Sequence, residues 1–334
     1  MISNIKILYE DGHLDKHIEN LIDDPNQIIH IYYHLEQGEA IRPIDFKYPI
    51  AKEIKFIFGS DDCPFYDEFK EVGSVEFFWN YWLYGELVRM DTSHLKTITS
   101  QSFEKLLLVL NNLPKKHRKI MMSELDKNGL LENSFYSWLT PTSDSGDSIW
   151  KTSKIIWEGQ ETQHTLPSQP ISKKSFQFGF PEQVITPIEY YKTLMVVVNE
   201  TCDKTIFFTE KTWLPLLLGR PFLINGGMGM HHRLKEYGFK LYDELFDYSF
   251  DLETESDVRI DGIIQNIKSI NGNYKLLNES IKSKLRYNQE VCFNMIENKV
   301  GVPVFDGVNN DMWDRTINSA QQNLKTIKDI LLKF

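Results

Sequence analysis

Short apolar runs of about five residues recur along the chain and break off in polar or acidic turns. In the first hundred residues "IKILYEDG", "QIIHIYYHL" and "EIKFIFGSDDC" alternate with helical or turn-like stretches such as "HIENLIDD". Further on, "KLLLVLN", "MVVVNET" and "RPFLINGG" repeat the theme around helical segments. Strands of this length interleaved with helices predict an α/β fold with mostly parallel sheets. In such sheets ligands bind outside the carboxyl ends of the strands, so polar residues that directly follow each run become the candidates for function.

The aromatic stretch "VEFFWNYWLYGELVRM" reads as core, and with 41% apolar residues the chain can bury a substantial one. From Thr140 to about Ser175 the sequence is rich in Ser, Thr, Pro and Gln and shows little periodicity, which predicts a long surface loop or an ordered insertion. From Val258 to Phe334 the pattern is helical.

Two strand ends carry clustered charge. After "LLLVLNN", which ends in Asn111 and Asn112, a turn delivers Lys115, Lys116, His117, Arg118 and Lys119 at the start of a helix that stops at Asn128-Gly129. Bases at a helix N-terminus oppose the dipole, so the cluster is either a solvated face paired with surface acids or a seat for an anion. After "MVVVN", Glu200 and Thr201 sit at the strand mouth. The next helix opens with Thr209, Glu210, Lys211 and Thr212, and Pro215 then removes the hydrogen bond to the carbonyl of Lys211. An N-cap and a first-turn acid account for Thr209 and Glu210. They do not account for Lys211, and a carboxylate beside an ammonium suits a ribose beside a phosphate.

Charge and cysteine usage narrow the class. With 37 basic and 47 acidic residues the formal net charge is −10, which disfavours nonspecific attraction to nucleic acid or anionic membrane. No apolar run approaches the ~20 residues needed to span a bilayer. "MISNIKILYEDG" is charged too early for a secretory leader, so a cytoplasmic location is expected. Cys63, Cys202 and Cys292 fit no metal-ligand spacing, and His231 and His232 have no second cluster, so no metal site is assigned. The Gly-rich "INGGMGM" lacks a dinucleotide or P-loop spacing. It lets backbone approach a ligand or a neighbouring loop, or is a plain turn.

Between Leu106 and Asp251 the order of "LNNLPKKHRKIMM", "VVVNET", "FFTEKTWLPLLLGRPFLING" and "KEYGFKLYDELFDYSFD" resembles a group of viral and phage glycosyltransferase-like proteins. More distantly it is similar to the donor-binding segment of α1,3-fucosyltransferases. The resemblance implies a GT-B architecture, two Rossmann-like domains facing across a cleft. It implies residues 1–100 as an acceptor-side domain, 101–295 as the nucleotide-sugar domain and 296–334 as a helical segment closing the structure. It also implies a glycosyltransferase that uses no metal or cofactor, with the nucleotide-sugar as substrate. Arg118 and Lys211 would hold the diphosphate, Glu210 the ribose, and Glu200 would line the donor site. The general base would be a carboxylate of the first domain, Asp61 ahead of Asp11, with Glu10 and Asp62 behind. The acceptor stays open and extends to a modified base in phage DNA. The alternative is a nucleotide- or sugar-binding protein that keeps the donor fold without chemistry. Nothing in the residues specifies an oligomeric state.

Overall fold

The computed structural model describes residues 5–10, 28–33, 53–58, 66–91, 103–111, 115–136, 153–157, 160–164, 184–270, 277–302 and 311–332. Among these, two four-stranded sheets are parallel throughout. The first runs in sequence order, β1 (Ile5–Glu10), β2 (Ile28–Tyr33), β3 (Glu53–Phe58) and β4 (Ser74–Phe77). Helix α1 (Tyr66–Val72) connects β3 to β4. Asp11, Asp61 and Asp62, named above as candidate bases, lie outside the described residues.

Helix α2 (Tyr81–Arg89) leaves the first sheet but packs elsewhere. Its Tyr81, Leu83, Tyr84 and Leu87 are buried against helices of the C-terminal half, which confirms the aromatic stretch as core. β5 (Met90–Asp91) then pairs in parallel with β10 (Val184–Ile185).

The second sheet contains β6 (Lys105–Val109), β7 (Ser134–Tyr136), β11 (Thr193–Asn199) and β12 (Phe222–Asn225), in the order β12-β11-β6-β7. Every residue of β11 and β12 is buried, as is β6 from Leu106 to Val109. Near-continuous apolar runs are what a parallel strand covered on both faces requires. Helix α3 (Lys116–Lys127) joins β6 to β7 and ends at Gly129, whose φ of 67° explains the stop signal. Between β7 and β10 lies an antiparallel pair, β8 (Ser153–Trp157) and β9 (Gln160–His164), so this polar stretch includes ordered strands.

Helix α4 (Glu189–Lys192) precedes β11, and α5 (Glu210–Leu217) joins β11 to β12. After β12 come α6 (Met230–Glu236), α7 (Ser256–Ile270), α8 (Glu279–Glu297) and α9 (Asp311–Leu331), matching the helical pattern expected from Val258 onward. The α/β architecture is compatible with a Rossmann-like arrangement, and no described helix is long and apolar enough to cross a membrane.

Candidate functional site

Strand order fixes the place to look. From β6 the chain moves to β7 on one side, and it later returns to lay β11 on the other, in parallel register through Val197 and Val109. Helices that leave neighbouring strands toward opposite sides open a crevice between the strands' carboxyl ends, the switch point of an open α/β sheet. Here those ends are Asn111 on one side and Asn199, Glu200 and Thr201 on the other. The starts of α3 and α5 supply the rest.

Glu200 is fully buried, and its carboxylate accepts four hydrogen bonds. One oxygen takes the Thr209 N–H at 3.0 Å and the Thr212 hydroxyl at 2.6 Å. The other takes the Thr201 N–H at 3.1 Å and the Thr209 hydroxyl at 2.6 Å. This carboxylate is a staple between the end of β11 and the start of α5. It fixes Thr209, whose own hydroxyl oxygen accepts from the Lys211 N–H as the N-cap. The expectation that Glu200 lines a donor pocket meets a carboxylate with its acceptor sites already used.

The carbonyl of Glu200 gathers three donors from α3. His117 Nε2 lies 2.9 Å away, Arg118 Nη2 2.9 Å and Arg118 Nε 3.2 Å. A carbonyl can only accept, so Nε2 carries the hydrogen of His117. The guanidinium of Arg118, expected to grip a diphosphate, is instead 2% exposed and turned onto the backbone. Helical phase explains the difference: His117 and Arg118 fall one turn ahead of Met121 and Met122, on the buried stripe of α3, whereas Lys116 and Lys119 face outward. That stripe was available in the sequence.

Burial pushes His117 below the usual histidine range, with Arg118 and Lys115 adding to the shift. The Glu200 carbonyl and Asp203, whose Oδ1 is 3.7 Å from Nδ1, oppose it without cancelling it.

Two ammonium groups converge at these strand ends. Lys115 Nζ donates to the carbonyl of Thr201 at 2.8 Å, and Lys211 Nζ donates to the hydroxyl of the same threonine at 3.2 Å. Lys211 also reaches Thr209 Oγ1 at 3.2 Å and Glu210 Oε1 at 2.5 Å. Both lysines and Thr201 are half-buried, so their atoms border solvent. Burial by itself would raise the Glu210 carboxyl, but Lys211 and then Arg89 outweigh it and bring its pKa down to about 2. Arg89, at the end of α2, also pairs with Glu86, and nothing in the local sequence tied it to Glu210.

The surrounding loop is held from behind. Arg259 on α7 donates to the carbonyls of Asp203 and Gly226, each at 3.1 Å. A Cβ on Gly227 would stand 2.3 Å from the Thr205 carbonyl oxygen, so the Gly-rich turn exists to let two loops touch. His231 is buried and gives its Nδ1 hydrogen to Asp251 at 2.6 Å, while its Nε2 accepts from the Ile224 N–H at 3.0 Å. It is thereby a packing histidine. Among the described residues no group of His, Cys, Asp or Glu has the arrangement of a metal site.

A cleft of about 770 Å³ between Asp243–Phe250 and α7 is lined by none of these strand-end residues and by no Lys or Arg. No family model, curated protein or solved structure matches the chain.

Proposed function

We propose that the crevice at the carboxyl ends of β6 and β11 binds a nucleotide-sugar and that the chain transfers the sugar to an acceptor hydroxyl. The observation that carries this reading is the meeting of Lys115 and Lys211 on the single residue Thr201 at the sheet's switch point. Like charges brought together repel, and Glu210 pairs with Lys211. A diphosphate between the two ammonium groups would relieve the repulsion and gain charge-assisted hydrogen bonds. Glu210, already in place against Lys211, offers its other oxygen to ribose hydroxyls.

In this reading the bond between the anomeric carbon and the diphosphate oxygen breaks, and a bond forms from the acceptor oxygen to that carbon. The acceptor proton passes to a carboxylate, and the nucleoside diphosphate leaves with its new charge held by Lys115 and Lys211. Lysines at this position do the leaving-group work that a divalent ion would otherwise do. Arg118 and Glu200 act one step back, by fixing Thr201 and the start of α5. The first sheet would supply the acceptor side and the base, Asp61 or Asp11, in a GT-B-like pair of domains.

Calorimetry with nucleoside diphosphates, followed by an assay of diphosphate release from nucleotide-sugars, tests the reading. Lys115→Ala and Lys211→Ala are each expected to weaken diphosphate binding by on the order of 1.5–3 kcal/mol while leaving the fold intact. Unchanged affinity in both variants removes the site assignment. Tight binding with no transfer or hydrolysis for any sugar would leave a binding protein in its place.

A further inference from the structure

At the opposite, amino edge of the second sheet the described residues enclose a cleft of about 670 Å³. Phe103 and Arg220, just ahead of β6 and β12, form its sheet side, and Lys240 with the first turns of α8 forms the other. Arg220 is 1% exposed. Its Nη2 donates to the carbonyls of Thr193 at 2.5 Å and Leu194 at 3.4 Å, and its guanidinium carbon stands 5.3 Å from the centre of the Phe103 ring. Among the described residues no carboxylate pairs with it, and its Nε finds no hydrogen-bond partner there. Burial lowers its pKa only to about 10, so it stays charged at neutral pH.

A buried charge without a counter-charge is costly. Among the described residues neither carboxylate of the cleft, Glu279 or Glu290, forms an ion pair with Arg220. Arg220, Lys240, Lys282 and Arg286 share the cleft with Glu279 and Glu290, and Glu279 is already taken by Lys282 at 2.8 Å. Lys240 Nζ sits 3.9 Å from the centre of the Tyr287 ring, a stacked position that leaves its other side open to an acceptor.

We propose that this cleft is a second anion site, which takes a small phosphate ester. Lys240 and Arg286 contact the phosphate, Arg220 adds its field from behind, and the organic part lies against Phe103 and Tyr287. The volume exceeds what orthophosphate fills, and the two aromatic rings favour an ester over the bare ion. This inference is independent of the strand-end site, which lies at the other edge of the sheet.

Phenyl phosphate and orthophosphate, titrated calorimetrically at constant ionic strength, probe it. The titrations use the Lys115→Ala/Lys211→Ala double variant, so that the strand-end crevice contributes nothing. Phenyl phosphate is expected to bind in this background, more tightly than orthophosphate. Adding Lys240→Ala or Arg286→Ala should weaken it about tenfold or more. The Lys240 backbone keeps its bonds to Asn288 at 2.8 and 2.9 Å, so truncating the side chain leaves that segment in place. Absence of binding in the double variant, or binding indifferent to both added changes, overturns the site. Equal affinity for orthophosphate overturns the ester.

Discussion

At the Glu200 carbonyl, one backbone oxygen sets the task of two basic residues, His117 and Arg118. Arg118→Ala would leave His117 as its only donor from α3 and open a void under a helix start. The expected cost is about 2–4 kcal/mol of stability, read by denaturant unfolding. A loss of diphosphate affinity without loss of stability would return Arg118 to the ligand. His117 gives a pH signature. Its folded pKa lies below the ordinary 6.5, so between the two values the unfolded chain binds the extra proton. Stability is therefore complete above pH 6.5 and declines as pH falls below it. His117→Gln, which can still donate to the carbonyl, should flatten the stability curve just below pH 6.5. An unchanged slope would mean that His117 is not the titrating group.

At the level of elements, the segment from Glu200 to Thr209 is held at both ends by one carboxylate and along its length by Arg259 and the Gly-rich turn. Helix α5 is therefore positioned before any ligand arrives, which spares a ligand the entropy of ordering its first turn. Gly227→Ala forces the Thr205 backbone to move, because a flexible side chain is not what the new methyl would meet. Overpacking of this kind costs roughly 1–3 kcal/mol. The same variant should weaken diphosphate binding, since Thr201 and Thr205 belong to one segment. A destabilised protein with unchanged affinity would show that the turn and the crevice are uncoupled. Pro215 fits this element too: the chain carries α5 on to Leu217 despite the missing donor, with Arg220 N–H closing on the Pro215 carbonyl at 2.9 Å.

At the scale of the molecule, α2 ties the segment that follows the first sheet to the C-terminal helices. Asn323 on α9 donates to the carbonyls of Leu87 and Val88 at 2.9 and 3.0 Å, satisfying the open end of α2. Asn80 and Tyr84 reach back to the carbonyls of Val300 and Met295. Leu324 is 1% exposed within the same core. Leu324→Ala is expected to cost about 2–5 kcal/mol and to lower the unfolding midpoint of α2 and the second sheet together. Two separate transitions, only one of them shifted, would show that α2 and α9 do not share a cooperative unit with the sheet.

The long apolar strands, the helices and the mostly parallel pairing were legible because apolar periodicity and chain stops are local properties: "MVVVN" has to be covered on both faces wherever it lies, whereas the short β7 and the antiparallel β8 and β9 carry no such run. The charge gathered at these strand ends was legible as well, because charge directly after a strand is a position in sequence as much as in space. The partners were not. Lys115 and Lys211 are 96 residues apart, and the sequence placed both near strand ends without saying that they meet on Thr201. It presented Arg118 and Glu200 as free hydrogen-bonding groups. Only the tertiary fold spent them, Arg118 on a carbonyl 82 residues away and Glu200 on the cap of the next helix. A sequence lists donors and acceptors, but which of them are satisfied internally depends on what burial brings within hydrogen-bonding reach. That pairing decides which charges remain for a ligand.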